Sequence, residues 1–357
     1  MRIFVYVLTI LFLIGCSENP SQEQEDSQET PVNPETEAMS VESLADNLDT
    51  PWTIAKHEDT IYLTERPGAI VQIEDGQSVQ QEVDLEKSIS TASEAGFLGF
   101  TLAPDFAESQ TAFAYYTYEE DGNAYNRIVS LQLTDDTWEE QRVLLDQIPS
   151  GNVHHGGRLA IGPDNKLYAT TGDAAQPELA QDVQSLAGKI LRLNLDGSIP
   201  EDNPFNDSYI YSYGHRNPQG LVWDSEDQLY ATEHGNNAND EVNLIEAGQN
   251  YGWPHIEGEE TQQDMEFPLF TSGTEVTWAP SGVDFYNDKL FVAALRGTAL
   301  LEFDLDANTQ QTFLEGYGRI RDIYIEDDEL YFITNNTDGR GSPQADDDQL
   351  YRITLTE

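Results

Sequence analysis

From Leu48 onward, the hydrophobic and polar positions form short alternating runs instead of the longer period of a helix. Runs of Val, Ile, Leu, Tyr and Thr are interrupted by Asp, Asn and Gly, a pattern typical of many short antiparallel strands. Several runs share one form, in which a polar turn precedes an aliphatic–aromatic pair and then alternating residues. They are "HEDTIYLTERPG" (57–68), "ESQTAFAYYTYE" (108–119, the weakest), "PDNKLYATTGDA" (163–174), "SEDQLYATEHGN" (225–236), "YNDKLFVAALRG" (286–297) and "EDDELYFITNNT" (326–337).

The aromatic residue of each pair marks a repeat. These residues are Tyr62, Phe113, Tyr168, Tyr230, Phe291 and Tyr331. They recur every 40 to 60 residues or so, a spacing that suits the blades of a β-propeller. Six repeats predict an all-β fold, a six-bladed β-propeller. A large sandwich of unrelated strands is the alternative.

A propeller would bring separate polar segments together. Equivalent strands of all blades run the same way, so the residues after each repeat should meet at one end of the central channel. Those segments contain Glu65-Arg66, Gly172-Asp173, Glu233-His234-Gly235, Arg296-Gly297 and Asn335-Asn336. Because concave channel mouths commonly bind ligands, we expect a site there.

The N-terminus predicts export and anchoring. Residues 1–16 hold one positive charge, an apolar run and a final Leu-Ile-Gly-Cys. They resemble a bacterial lipoprotein signal peptide in which Cys16 is lipidated. A non-cleaved apolar anchor is the alternative. Residues 17–40 are acidic and polar, which predicts a disordered tether. The predicted domain is therefore 41–357, lipid-anchored to the cell envelope on its periplasmic or outer surface. Cys16 is the only cysteine, so this domain has no disulfide or thiolate metal site.

The charge balance restricts the partners. The chain has 66 acidic and 17 basic residues, a net charge of −49. Phosphates would be repelled, which argues against nucleic acid or an anionic lipid surface as a partner. We expect contact with a membrane only through the N-terminal lipid. The acidic balance favours solubility, and adaptation to high salt is a hypothesis that it raises.

Four segments could carry chemistry, and each also fits a purely structural role. "GNVHHGGRLAIGPD" (151–164) places His154 and His155 before two glycines, and "SEAGFLGFTLAPDF" (93–106) places Glu94 before a glycine-rich turn. Arg319 and Arg321, two residues apart, lie on one face of a strand. The segment 235–254 is rich in the oxygen ligands that calcium prefers.

Together these segments resemble a known family. "NLDTPWTIA", "LTERPGAIVQI", "AGFLGFTLAPDF", "HHGGRLAIGPDNKLYATTGD", "AGKILRLNLDGSIPEDNPF", "GHRNPQG", "NYGWP" and "NTDGRGSP" occur in this order. The chain, over about 46–357, is similar to the soluble aldose sugar dehydrogenases that depend on pyrroloquinoline quinone (PQQ), the glucose/sorbosone dehydrogenase family. The resemblance implies a six-bladed propeller with four-stranded antiparallel blades.

The resemblance also implies PQQ and Ca²⁺ as cofactors. PQQ is a planar quinone with three carboxylates, for which arginine forks are suitable partners. The residues implied to bind it are Glu94, Arg216, Asn217, His234, Arg296, Arg319 and Arg321. Arg296 is matched to a family lysine, with Leu295 as the alternative alignment. The residues implied for calcium are the main chain of Gly235 and Asn236, and at a second ion Glu241 and Tyr251.

The implied reaction is oxidation of an aldose at C1 to a lactone. His154 is the implied general base for the anomeric hydroxyl, with His155 as the neighbouring alternative, while hydride passes from C1 to PQQ. Arg216 is implied to stabilise the developing oxyanion. An external electron acceptor then reoxidises the cofactor. Near the sugar we expect Glu94 and, as an apolar wall, Trp278.

Two other functions fit part of the pattern. A calcium-dependent propeller lactonase would place several acids on the channel axis, where this chain offers arginines and a histidine. A lipid-anchored propeller that binds a glycan or a protein without catalysis would not need the histidine and the cofactor arginines.

Overall fold

The computed structural model describes residues 40–355, which are almost entirely β structure. In chain order the strands are β1 (Val41–Ala45), β2 (Pro51–His57), β3 (Thr60–Glu65), β4 (Ala69–Glu74), β5 (Gln77–Asp84), β6 (Phe97–Leu102), β7 (Thr111–Glu120), β8 (Asn123–Thr134), β9 (Thr137–Pro149), β10 (Leu159–Ile161), β11 (Leu167–Thr171), β12 (Lys189–Leu193), β13 (Ile210–Tyr213), β14 (Pro218–Trp223), β15 (Leu229–Glu233), β16 (Glu241–Ile245), β17 (Phe270–Thr271), β18 (Pro280–Tyr286), β19 (Lys289–Ala294), β20 (Ala299–Asp304), β21 (Thr309–Glu315), β22 (Ile320–Glu326), β23 (Glu329–Thr334) and β24 (Leu350–Thr354). The helices are α1 (Phe106–Ser109) and one 3₁₀ turn (Pro177–Ala180).

Two predictions concern residues outside this range. The signal peptide with lipidated Cys16, and the tether except for Ser40, lie outside the described residues. Within the described part of the chain, neither helix is long and apolar enough to cross a membrane.

The strands form five sheets in the described part of the chain, four with four strands each and one with eight. Four sheets have the orders β1-β24-β23-β22, β10-β11-β12-β13, β14-β15-β16-β17 and β18-β19-β20-β21. A fifth has eight strands, β2-β3-β4-β5-β9-β8-β7-β6. Its two antiparallel halves are joined by a short parallel pairing of β5 with β9, from Glu82 opposite Thr137 to Asp84 opposite Glu139.

The strands β2, β6, β10, β14, β18 and β22 lie innermost. Each contacts the next in this order, and β22 returns to contact β2, so they enclose a central channel. Apolar clusters fill the space between neighbouring sheets. Tyr115 and Ile128, for example, pack with Leu167 and Leu191 of the following sheet. This arrangement is propeller-like, as the repeat predicts.

The repeated aromatic residues occupy one structural position. Each lies on the strand that follows an innermost strand, and all six side chains are buried. The residues after these strands therefore reach the same end of the channel.

The innermost strands are irregular at that end. Five of them show a bulge or register shift against the following strand, between Pro51 and Ile54, Phe97 and Phe100, Pro218 and Gly220, Pro280 and Val283, and Ile320 and Asp322. A bulge redirects side chains out of strict alternation. In β22 it allows the consecutive residues Arg321 and Asp322 both to contact neighbouring innermost strands.

The two chain ends of the described region meet in one sheet. Strand β1 pairs with β24, with Val41 opposite Ile353 and Glu42 opposite Arg352. The last sheet is thus built from both ends of the chain.

Candidate active site

A cavity of about 310 Å³ lies at the channel end where the repeats deliver their polar residues. Trp52, Leu98 and Gln219 form part of its wall. Its charged lining residues are Arg66, Glu94, Arg296, Arg319, Arg321, Asp338 and Arg340. Five arginines face two carboxylates, so the lining has three positive charges in excess although the chain as a whole has a net charge of −49.

Arg321 is a buried cation of this cavity that has no carboxylate partner among the described residues. Its Nη1 donates to Oε1 of Gln219 at 2.8 Å, and its Nη2 donates to Oδ1 of Asn335 at 3.1 Å. Its side chain makes no ion pair with any residue between 40 and 355. Burial, together with the charges of Arg319 and Arg66, lowers the pKa of Arg321 to about 9. A buried guanidinium bonded only to neutral groups suits an anionic ligand.

The neighbouring arginines differ in their partners. Arg319 is paired with Asp338 at 2.7 Å and donates to the Leu295 carbonyl at 3.2 Å. Arg66 donates to the carbonyls of Ser93 and Ala95 at 2.6 and 2.9 Å. Arg296 is exposed and takes part in no ion pair within the described chain. The positive charge of the cavity is therefore only partly neutralised.

Glu94 connects the cavity rim to the histidine loop. One carboxylate oxygen is 2.7 Å from Nη1 of Arg340, and the other accepts from the His154 N–H at 3.1 Å. Burial opposes ionisation, but these two partners outweigh it and hold the pKa of Glu94 at about 2. Glu94 is thus ionised at neutral pH.

His154 is oriented by a carboxylate. Its Nδ1 lies 2.8 Å from Oδ1 of Asp173, which is fully buried. Oδ2 of Asp173 accepts from Nε1 of Trp253 at 2.9 Å. A carboxylate at Nδ1 keeps the proton on that nitrogen and leaves Nε2 as an acceptor. A histidine held in this way is able to accept a proton at Nε2.

Gly172 makes the His154 loop possible. A Cβ at Gly172 would lie 2.0 Å from the His154 carbonyl oxygen. His154 itself has a φ of 64°, in the left-handed region. Only glycine allows the strand end that carries Asp173 to approach the loop this closely.

His155 and His215 have other surroundings. His155 is buried and contacts the Ser150 hydroxyl through Nδ1 at 2.8 Å, and burial lowers its pKa to about 4. His215 lies between Ser212 and Glu233, both at 2.8 Å, and stacks on Tyr251. Of the histidine pair 154 and 155, it is His154 that has the orienting carboxylate.

Two loops are held together by hydrogen bonds among Arg216, Asn217 and His234. Nη1 of Arg216 donates to the His234 carbonyl at 3.2 Å, and the His234 N–H donates to the Asn217 carbonyl at 3.3 Å. The Arg216 guanidinium lies 5.4 Å from the centre of the Trp253 ring. Nε of Arg216 and Nε2 of His234 are buried without a hydrogen-bond partner in the described structure. Both atoms are therefore available to hydrogen-bond a bound group.

The residues predicted for calcium lie on two segments of this region. Gly235 donates to Asp240 at 2.9 Å, and Asn236 is exposed. Glu241 accepts from the Gly258 N–H at 2.9 Å, while the Tyr251 hydroxyl donates to the Leu244 carbonyl at 2.7 Å. Between residues 40 and 355, no three His, Cys, Asp or Glu side chains converge as a metal site.

Trp278, the residue predicted as an apolar wall for the sugar, packs into the core. Its side chain is buried and packs edge-on against Phe303, with ring centres 5.3 Å apart, and it is absent from the cavity lining. The segment is held instead by Asp240, which accepts from the Ala279 N–H at 2.8 Å. The tryptophan in the cavity wall is Trp52. The guanidinium carbon of Arg158 lies over its ring, 4.5 Å from the ring centre.

Sequence reasoning left several site residues without a role. Asp173 and Arg66 follow repeats and were placed at the channel end, but nothing in the sequence pairs Asp173 with His154. Asp338 and Arg340 lie in the "NTDGRGSP" motif, and Trp253 in "NYGWP". These motifs carry the family resemblance and could have identified them.

Comparison with known proteins identifies the family of the chain. Residues 48–352 match the family model described as Glucose / Sorbosone dehydrogenase. Aldose sugar dehydrogenase YliI of Escherichia coli (strain K12) is 32% identical over 339 residues, covering 84% of this chain and 91% of that protein. Quinoprotein glucose dehydrogenase B of Acinetobacter calcoaceticus is 37% identical over 249 residues, covering 60% of this chain and 52% of its own length. The PQQ-bound aldose sugar dehydrogenase of Streptomyces coelicolor superimposes with a TM-score of 0.82 and 36% identity, covering 88% of this chain and 98% of that structure.

Proposed function

The chain belongs to the glucose/sorbosone dehydrogenase family, and from this membership we propose that it is a PQQ- and calcium-dependent dehydrogenase that oxidises aldoses at C1 to lactones. The observation that carries the proposal is the arginine-rich cavity. Three positive charges in excess are concentrated there, in a chain with only 17 basic residues. A local reversal of charge on this scale is required to bind a multiply charged anion.

The residues present fit PQQ. Its three carboxylates match the three arginine charges that the lining carboxylates leave uncompensated. Arg321 and Arg296, which have no carboxylate partner among the described residues, would hold carboxylates together with Arg319, which is also paired with Asp338. Arg216, Asn217 and His234 would contact the quinone, and the buried unpaired Nε of Arg216 is a donor available for that contact.

The chemistry that PQQ supplies when bound is acceptance of two electrons from the sugar, which it passes to an external acceptor. The protein supplies proton transfer. His154, held through Nδ1 by Asp173, accepts the proton of the anomeric hydroxyl at Nε2. Asp173 is a positioning residue that favours the correct tautomer and the protonated ring. Arg216 offers a fixed positive charge near the reacting groups, which stabilises negative charge as it develops.

The calcium part of the proposal rests on oxygen donors. The carbonyls of Gly235 and Asn236 would bind one ion, which would act as a Lewis acid at the cofactor. Glu241 and the Tyr251 carbonyl would bind a second. Supporting this second position, Oε1 of the neighbouring Glu257 is buried with no hydrogen-bond partner in the described residues.

The finer architecture and the location of the protein are part of the same proposal. The eight-stranded sheet is interpreted as two blades joined by the β5–β9 pairing, which makes six blades with the other four sheets. The chain is exported and anchored through a lipid on Cys16, because its first sixteen residues resemble a lipoprotein signal.

Reconstitution tests the function. The purified full-length chain is loaded with PQQ and Ca²⁺ and assayed with a panel of aldoses and an artificial electron acceptor dye. We expect dye reduction that depends on PQQ, on calcium and on the sugar. The absence of PQQ binding, together with no dye reduction by any aldose, would reject the proposal. Hydrolysis of a lactone without PQQ would favour the lactonase alternative.

A further inference from the structure

The arginines that line the cavity fall into two groups. Arg319 is paired with Asp338, and Arg340 with Glu94, each at 2.7 Å. The other lining arginines have no carboxylate partner among the described residues, and they are Arg66, Arg296 and Arg321. Of these three, Arg66 is the one to which neither the sequence nor the family resemblance assigns a role.

Two main-chain carbonyls hold the side chain of Arg66. Its Nη2 donates to the carbonyls of Ser93 and Ala95 at 2.6 and 2.9 Å, and its Nε donates to Ala95 at 3.3 Å. The Phe97 N–H donates to the Arg66 carbonyl at 2.9 Å, and a Cβ at Gly96 would lie 2.8 Å from the same oxygen. Residues 93–97 therefore pack closely around Arg66, so its guanidinium is held in place before any ligand binds.

The third nitrogen of this guanidinium is left for a ligand. Nη1 of Arg66 donates to no described residue and keeps accessible surface. The residue itself is half-buried and lines the cavity. Carbonyl oxygens orient a guanidinium but do not neutralise its charge. A fixed, charged donor with a free N–H in a cavity wall suits a carboxylate.

The charge of Arg66 also acts on its neighbours. Together with the charge of Arg319, it contributes to the lowered pKa of Arg321, so these guanidinium groups repel one another in the cofactor-free chain. A bound anion would replace this repulsion by attraction. PQQ brings three carboxylates, and three lining arginines lack a carboxylate partner among the described residues.

We propose that Arg66 is a further cofactor-binding residue, whose Nη1 donates to a carboxylate of PQQ while Nε and Nη2 hold the segment 93–97. The proposal rests on the proposed function, because it takes PQQ as the ligand of the cavity. Arg66 would then connect the cofactor to Glu94 in that segment, and Glu94 accepts from the His154 N–H at 3.1 Å.

The alternative is that Arg66 only holds the segment 93–97, and two substitutions separate these roles. Arg66→Lys keeps the positive charge, whereas Arg66→Gln removes it, and neither side chain spans both carbonyls as the guanidinium does. Arg142→Met, at an exposed arginine outside the cavity, is the matched control. Arg66 is half-buried in a loop, so we expect both variants to fold, and urea unfolding checks this.

The measurement is a fluorescence titration of the cofactor-free, full-length chain in the presence of Ca²⁺. The ligands are PQQ and its trimethyl ester, which has no free carboxylate. Arg66→Gln should raise the Kd for PQQ about 10- to 100-fold, the effect of losing one hydrogen bond to a charged group. Arg66→Lys should raise this Kd less, and Arg142→Met should leave it unchanged. The Kd for the ester should change by less than about twofold in Arg66→Gln, because the carboxylate partner is already absent.

The outcomes distinguish this proposal from the proposed function. An unchanged Kd for PQQ in Arg66→Gln, or an equal rise in Arg66→Gln and Arg66→Lys, would overturn the role of Arg66 and leave the dehydrogenase assignment intact. An equal rise for PQQ and for the ester in Arg66→Gln would do the same. If the ester does not bind the unmodified chain, the comparison of the two variants with PQQ decides. Failure of the unmodified chain to bind PQQ would overturn both proposals.

Discussion

Replacing Arg321 by methionine should separate cofactor binding from stability. Burial, with the charges of Arg319 and Arg66, lowers the pKa of Arg321 to about 9. The fall from an ordinary value of about 12.5 corresponds to roughly 5 kcal/mol by which folding disfavours the charged side chain. Because this pKa is depressed, the cost is complete below pH 9, and therefore at neutral pH.

Methionine removes this cost and also removes the donors to Gln219 and Asn335. Unpaired polar groups cost about 1–3 kcal/mol, and water in the cavity can replace part of the loss. We therefore expect cofactor-free Arg321→Met to be at least as stable as the unmodified chain in urea unfolding. PQQ binding should weaken by at least about 30-fold, because the loss of one partner of a buried charge pair costs about 2–5 kcal/mol.

The assay pairs urea unfolding of the cofactor-free protein with a fluorescence titration by PQQ. Arg321→Lys retains the charge without the planar fork, and should bind PQQ with intermediate affinity. Arg142→Met, at an exposed arginine outside the cavity, serves as the matched control. If Arg321→Met unfolded far more easily and still bound PQQ with unchanged affinity, Arg321 would be a structural residue and our reasoning would be refuted.

Further predictions concern the base, the pH dependence and the ionic strength. His154→Ala should lower kcat by about 10²–10⁴, and Asp173→Asn should lower kcat with little change in PQQ affinity; full turnover by either variant in the dye assay would contradict the assigned role. Burial lowers the pKa of Lys189 to about 7, so the unfolded chain binds more protons above that pH and the free energy of unfolding should rise from pH 7 to about 9.5. Lys189→Met should flatten this rise in urea unfolding measured across the range, whereas an unchanged slope would show that another group causes it. Raising the salt concentration should raise Tm, because it screens the repulsion within a chain of net charge −49, and a Tm independent of salt would reject this origin.

The sequence predicted the repeat but not every sheet boundary. Tyr62, Tyr168 and Tyr230 mark equivalent strands because each unit needs an aromatic residue in the same buried position. The parallel pairing of β5 with β9 has no such signal. This pairing depends on how the outer strands of two neighbouring units pack together. The alternation of polar and apolar residues within either strand does not specify it.

The sequence predicted which charged residues belong to the site better than it predicted the contacts between them. Arg319, Arg321 and His234 line one cavity. The position of His234 after a repeat predicts this, whereas Arg319 and Arg321 were predicted from their spacing and from the family resemblance. The contact between His154 and Asp173 depends on a close approach of two loops at Gly172, which no single segment specifies. Trp278, predicted as an apolar wall for the sugar, packs against Phe303, and a tryptophan near a site has the same sequence signal whether it faces a ligand or the core.

The joining of β1 to β24 has a consequence for folding. Glu42 and Arg352 form an ion pair across 310 positions of sequence, so the final sheet is among the longest-range contacts of the chain. Contacts of this separation form slowly. During synthesis the last sheet must wait for residues 350–354, and until then β22 and β23 present an unpaired strand edge of the kind that promotes aggregation. Completion of the ring is therefore necessarily a late event, and a chain truncated at either β1 or β24 would retain the exposed edge permanently.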